Sequence, residues 1–577
     1  MMMNYKKSLI ITAITLGAGV MVNAQSAKFS LNGVGRSVLT NSNISGDFVD
    51  VDETVQKAGT AGYNLFDLQT NLAVDSNFQA MAIFRAKSPF GSFFGSATGF
   101  EFRQFKMMGN FDDFKYEIGD IRVEMTPFTV FNSYTIDHSY ESDVFVQRRK
   151  IQEYENFNKG NSWLLQGAAG QYFWEINKEG MGLGVYAFGT RNTSTNESTI
   201  PDRLLTGGRL EFRVNKSLKF GANAVSMFDI SLLQSDFDYN NNVFTGDVNY
   251  KFDTDAILID VNFEGGMSMY KYNQFVDDGV SLTKSDTAYD DGFMDLNVGI
   301  GLKDAKIRFD LNARSVGVLY SSPSAQTRRY NASLVPNMFN EGQSGPRYQS
   351  MFDRSTAEEM YNSTITPNLM GFVSAYNNST PYGKATPNRT GGSFRVGTDT
   401  SNHKIDASAK LAYLTEIQGE GTVDKRTFMV VSGGTVAHLG ELFGFSRALD
   451  LNAGARYEQT SRGGTAAINY TSLLVDAGLS FELLKRISLL GGLKFISVDG
   501  NEYIKTLDGF NFITDFSAWE GSYTETLISA GLRIDLTVYQ QFVVNYNMST
   551  NVSDNITNGV KTGYDIGQLF FSYIGRF

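Results

Sequence analysis

Leu569-Phe-Phe-Ser-Tyr-Ile-Gly-Arg-Phe577 closes the chain. Counted back from Phe577, every second residue (Gly575, Tyr573, Phe571, Leu569) is aromatic, apolar or small, while Ser572 and Arg576 fall in the alternate set. A period of two marks a strand whose one face meets an apolar environment. Chain ends are ordinarily polar and frayed, so an aromatic-rich terminal strand needs an apolar partner. Two partners fit: a second sheet, as in a soluble sandwich, or lipid.

The other end favours lipid. Residues 1–24 carry Lys6 and Lys7, then the apolar run Leu9-Ile-Ile-Thr-Ala-Ile-Thr-Leu16, then Val22-Asn23-Ala24 before Gln25. This is the pattern of a secretory signal peptide, with a mature chain expected from Gln25. There is no cysteine, so neither a lipidated N-terminus nor a disulfide is available. An exported chain ending on such a strand resembles bacterial outer-membrane β-barrels, and the Ala24-Gln25 junction is similar to those of exported Bacteroidota proteins. The resemblance implies an all-β fold, a transmembrane antiparallel β-barrel in the cell outer membrane. It also implies contact with lipid and lipopolysaccharide, and assembly by the barrel-assembly machinery through the C-terminal strand.

Composition is consistent with that reading. With 57 Gly, 45 Phe and 28 Tyr against 9 Pro and 19% charged residues, the chain is rich in strand formers, turn formers and interfacial aromatics. Beyond the signal no run of about 20 apolar residues exists, so no helix is expected to span a membrane. The length exceeds one ordinary soluble domain, yet no Pro/Ser linker divides it, and residues 25–577 are read as a single barrel. The net charge of −11 argues against a nucleic-acid partner.

The clearest hairpin runs from Leu473 to Val498. Leu473, Val475, Ala477, Leu479, Phe481 and Leu483 face one way, and Asp476, Gly478, Ser480 and Glu482 the other; Lys485-Arg486 makes the turn. Further tight reversals are expected at 75–77, 112–113, 177–180, 215–217, 253–255, 303–305, 401–403 and 538–541, with a longer one at 439–447. These define short periplasmic turns. Long extracellular loops are expected at 40–62, 126–162, 231–242, 271–291, 320–391 and 499–522, with a hidden strand pair allowed within 126–162. One strand on each side of every tight turn, plus the terminal strands, makes about 22 strands, within a range of 18–26.

The polar parity of the strands predicts the lumen: Glu211, Arg213, Arg308, Asp310, Asp476, Glu482, Lys494, Arg533 and Asp535 are expected to line the pore. The stretch Gly119-Asp120-Ile121-Arg122 closes a strand ahead of a loop bearing Arg148, Arg149 and Lys150. It is similar to strand ends that precede folded-in loops of substrate-selective porins. That implies a constriction where the three cations attract anionic solutes; the alternative is a solvated surface loop. Asp236, Asp238 and Asn240 alternate in an external loop as candidate Ca2+ ligands, although the same composition is ordinary turn chemistry. Otherwise no cofactor is expected. Asp286-Thr287-Ala288 resembles the O-glycosylation signal of Bacteroidota.

Catalysis has little support. His138, His403 and His438 are the only histidines and no Gly-x-Ser-x-Gly elbow occurs, so a hydrolytic triad would have to use His138. Asp137-His138 resembles omptin-type proteases, but without a matching acidic pair, and no enzyme is expected. Residues 320–391 hold six of the nine prolines with Asn, Ser, Thr and aromatics, the composition of a plug, lid or partner surface. Two function classes follow: a porin-like channel for small hydrophilic solutes, or a plugged barrel serving as a surface or envelope-complex platform with partners still to be identified.

Overall fold

The computed structural model describes residues 27–46, 58–74, 77–90, 98–131, 140–156, 165–178, 180–193, 202–230, 239–277, 282–325, 379–380, 383–398, 404–507, 513–557 and 559–577. The first strands are β1 (Lys28–Ser45), β2 (Ala58–Ala73), β3 (Phe78–Pro89), β4 (Gly99–Phe111) and β5 (Phe114–Ile121). After a helix, α1 (Asp143–Asn156), come β6 (Leu165–Glu175), β7 (Gly182–Thr193), β8 (Asp202–Arg213), β9 (Leu218–Ile230), β10 (Tyr239–Asp253), β11 (Ile257–Asp277), β12 (Leu282–Leu302) and β13 (Ile307–Val316). The rest are β14 (Arg389–Thr398), β15 (Ile405–Thr415), β16 (Thr427–His438), a short helix α2 (Leu439–Phe443), β17 (Leu449–Arg462), β18 (Ile468–Leu484), β19 (Ile487–Leu507), β20 (Ile513–Thr537), β21 (Gln540–Asn555) and β22 (Val560–Arg576).

Each strand pairs antiparallel with its sequence neighbours, and β1 pairs with β22 from Val34↔Arg576 to Ser45↔Asp565. That last ladder closes a 22-stranded barrel and removes the free edges an open sheet would present. Side-chain parity follows the expected period. On β18 and β19 Leu479, Leu483, Leu489 and Leu493 are exposed on the outer face, whereas Asp476 and Lys494 are buried inside. On β22 Leu569 is exposed outward, but the inward set contains Phe570 as well as Gln568 and Ser572. Phe570 is apolar and inward because Ile151 of α1 packs on it together with Val38.

Three expected loops are corrected. Residues 271–291 are mostly strand, with β11 and β12 paired up to Asp277↔Leu282. Residues 499–522 likewise belong to β19 and β20, paired up to Leu507↔Ile513. A tilted strand needs only about 9–11 residues to cross a bilayer, so 21- and 25-residue strands extend well past an apolar band. Their distal halves carry many polar residues, and polarity alone does not distinguish a strand beyond an apolar band from a loop. Within 126–162 the described residues hold no strand pair: the chain turns into the lumen and forms α1.

Candidate functional site: a segment folded into the lumen

The wall releases the chain at the end of β5. Gly119 has φ +108°, a conformation that favours glycine, and the Asp120 carboxylate accepts the Phe105 N–H at 2.7 Å where β4 has lost its ladder partner. From Ile121 to Phe131, and again from Tyr140 through α1, the chain lies inside the barrel. Phe128 is fully buried and stacks on Phe293 with centroids 3.9 Å apart. Thr126 donates to Glu264 at 2.6 Å, and the Tyr320 hydroxyl donates to the Phe128 carbonyl at 2.6 Å. Residues 317–325 therefore lie against the infolded segment, and Ser322 and Ser324 both donate to the Thr129 carbonyl.

Residues 140–145 cross β15 to β20 in a groove made by glycines. Gly434 pairs with Gly454 and Gly478 with Gly492. A Cβ at Gly434 would come within 2.5 Å of Tyr140 Cδ2 and one at Gly492 within 2.6 Å of Val144 Cγ1, while one at Gly478 would overlap Ser142. Polar ties hold the segment there. Tyr140 and Ser408 hydroxyls lie 2.7 Å apart, Asn452 donates to the Glu141 carbonyl at 3.0 Å, and Ser142 donates to the Gly491 carbonyl at 2.9 Å. The Glu141 carboxylate meets the Lys494 ammonium, both buried, and Arg533 reaches Asp143 at 3.1 Å. Gly478→Val is expected to expel residues 140–145 from the groove, costing a few kcal/mol of overpacking. Proteolysis of the folded barrel checks this, since a displaced segment becomes cleavable.

The far end of α1 is tied to β1–β4. Asp67 accepts two bonds from Arg85, both 2.7 Å, one from Arg103 at 2.8 Å, and one from the Tyr154 hydroxyl. The Tyr154 ring sits under three guanidiniums, those of Arg103, Arg36 and Arg85, at 3.8, 5.0 and 5.5 Å. Burial first, and then the hydrogen bond to Asp67, pushes the Tyr154 hydroxyl above the ordinary phenol range. It stays protonated and remains a donor.

The residues expected to line the pore fall into three groups. Asp476, Lys494 and Arg533 lie beneath the infolded segment. Glu482 and Asp535 sit near the turn-side rim, where Glu482 accepts the Ala448 N–H at 3.3 Å and Asp535 accepts from Gln541 at 2.9 Å. Glu211, Arg213, Arg308 and Asp310 pair along the wall: Arg213 bonds Glu211 at 2.6 Å, and Arg308 bonds Asp310 at 2.7 Å and Asp260 at 3.0 Å.

Arg148, Arg149 and Lys150 are carried on α1, inside the barrel; Lys150 is exposed, and the side chains of the other two lie outside the described residues. Asp236 and Asp238 also lie outside them, as do His138 and His403, while Asn240 opens β10 and accepts from Asn242 at 2.6 Å. Among the described residues no group of three or more His, Cys, Asp or Glu could hold a metal ion. His438 meets Asp450 at 2.7 Å at the turn-side rim. Sequence reading missed Asp67, Arg85, Glu141 and Tyr154. The inward parity of Asp67 and Arg85 was available as a signal, but nothing in the loop marked Glu141 or Tyr154.

Two cavities adjoin below the infolded segment. One, of about 1060 Å³, is lined by Lys115, Glu117, Phe173, Tyr186 and Arg213. The other, of about 700 Å³, is lined by Lys219, Asp260, Glu264, Asn297 and Lys384. Met125, Arg209 and Glu211 border both. Arg209 bonds Asp247 at 2.6 and 2.9 Å, crossing over Gly221, where a Cβ would overlap both side chains.

The chain is a closed 22-stranded antiparallel barrel. No protein-family model matches it, and no curated protein does. Solved structures similar in course include an outer membrane protein of Vibrio cholerae, OmpT lacking loop L8, at 7% identity over 95% of this chain and 99% of that one, with a TM-score of 0.27. Pseudomonas aeruginosa OccK2 (OpdF) matches at 10% identity over 95% and 98%, with a TM-score of 0.32. OpdK, an outer membrane protein of the same organism, matches at 10% over 94% and 99%, with a TM-score of 0.33. These values carry no argument about activity, and the barrel rests on this chain's own closed ladder.

Proposed function

We propose that this barrel is an outer-membrane channel for small hydrophilic solutes, narrowed by residues 122–131 and 140–156. The single observation that carries the reading is the adjoining pair of cavities, polar and charged, left between the wall and a segment pinned inside it. Apolar side chains such as Leu210, Phe263, Leu311, Phe394, Leu411 and Ile528 are exposed on the outside, a surface that water does not favour and lipid does. A polar lumen inside an apolar exterior is the arrangement a water-filled passage needs.

A second reading, a plugged barrel acting as a platform, is favoured by one observation. Towards the loop-side rim Glu416, Arg426 and Glu502 are only 0–4% exposed, with Arg426 within 3.2 Å of Glu416 and 3.1 Å of Glu502, so that part of the lumen is filled. Planar-bilayer recording separates the two. Discrete conductance steps from the purified, heat-modifiable barrel are expected; a folded barrel that never conducts establishes the platform instead.

A further inference from the structure

Four carboxylates, Asp113, Glu117, Glu124 and Glu211, and four cations, Lys115, Arg122, Arg209 and Arg213, line the larger cavity, and Lys219 lines the smaller one beside it. The larger cavity's carboxylates are taken up by the wall: Glu117 by Lys106, Glu124 by Arg122 at 3.2 Å, and Glu211 by Arg213 at 2.6 Å and by Arg209 at 3.4 Å. Asp113 stays exposed in the β4–β5 turn. The cations are not used up in the same way. Among the described residues Lys115 and Lys219 have no hydrogen-bond or ion-pair partner, and Arg213 spends only Nε on Glu211, leaving Nη1 and Nη2 unbonded.

Arg213 is also held in one plane. Its guanidinium lies over the Phe173 ring at 4.2 Å. That ring rests in turn against Gly182 and Gly184, where a Cβ would overlap it or come within 3.4 Å. With the plane set by Phe173 and rotation set by the Glu211 bond, the paired Nη atoms present a fork whose geometry matches a carboxylate or phosphate. Lys219 stands directly opposite Arg213 in the β8–β9 ladder. Like charges directly opposite on one face repel; the Glu211 carboxylate acts on both and offsets part of that repulsion, and a second anion between them offsets more.

We propose that Arg213 and Lys219 form an oxyanion subsite on the turn side of the lumen, taking small organic acids or phosphates. The proposal rests on the channel reading for its role in transport, but not for its existence as a binding site. Its test uses succinate and inorganic phosphate as separate probes in single-channel recordings of the whole barrel at low salt. Succinate is expected to interrupt the current, and Arg213→Ala to weaken that block about ten- to hundred-fold, the loss that goes with one charged hydrogen-bonding partner. Arg213→Lys keeps the charge without the fork and is expected to fall between. Lys219→Ala is expected to move the reversal potential towards cations.

Block by both probes marks a general oxyanion site, and block by one alone assigns the group. A conducting barrel that neither probe interrupts overturns the subsite and leaves the channel standing. Should the folded barrel not conduct, the channel reading falls. Calorimetry of succinate with the detergent-folded barrel then decides the subsite alone: heat that Arg213→Ala abolishes supports it, and no heat with the unaltered chain rejects it.

Discussion

Asp67→Ala is expected to lower the unfolding temperature sharply and to raise single-channel conductance. The Arg85 and Arg103 side chains are 2% and 4% exposed and share the Asp67 carboxylate. Removing it leaves two buried cations facing each other, and breaking a buried pair from one side costs about 3–5 kcal/mol. The Tyr154 hydroxyl loses its acceptor in the same step, the end of α1 is left held only by the Arg103 bond to the Tyr154 carbonyl and the ring contacts, and the passage beside it is expected to widen. Tyr154→Phe keeps the ring beneath the guanidiniums and is expected to cost only about 1 kcal/mol. Heat-modifiable gel migration measures the first effect and bilayer recording the second. Unchanged values for Asp67→Ala in both would sink the latch.

The second large effect concerns closure of the barrel. Phe577 donates its N–H to the Gly33 carbonyl at 3.2 Å, accepts the Gly33 N–H at 2.9 Å, and stacks on Phe66 with centroids 5.4 Å apart. Deleting Phe577 removes both bonds and the ring from the β1–β22 seam, the ladder that joins the chain's two ends. Folded barrel recovered from the outer membrane is expected to fall several-fold. Gly33→Val tests the same seam from the other strand, because a Cβ there would overlap the Phe577 ring and lie 2.6 Å from the Asp67 carbonyl. Normal recovery of both variants would show that the seam is not what limits assembly.

Legibility differed between the wall and what fills it. The alternation along β18, β19 and β22 was readable because each side chain takes its face from its own position in the strand. The inward placement of Asp476 and Lys494 was readable for the same reason. Their partners were not: Lys494 meets Glu141, which lies 353 positions away in the chain, and a loop carries no periodicity to announce where it goes. The loops at 271–291 and 499–522 were misread because the ladder continues through segments with many polar residues, and such residues also mark loops.

What the amino-acid sequence determined by itself was therefore local. Strand parity, tight turns such as 112–113 and 485–486, and the aromatic closing strand all follow from preferences that act within a few residues, and together they specify an apolar-out, polar-in barrel. Tertiary structure decided which way residues 122–131 and 140–156 went. Gly434, Gly454, Gly478 and Gly492 read as unremarkable strand glycines until curvature of the wall brings them into one groove, and Asp67, Arg85, Arg103 and Tyr154 become a single cluster only once three strands and a helix end meet. The unused nitrogens of Arg213 are of the same kind: whether a charge is spent or spare depends on every neighbour that closure places around it.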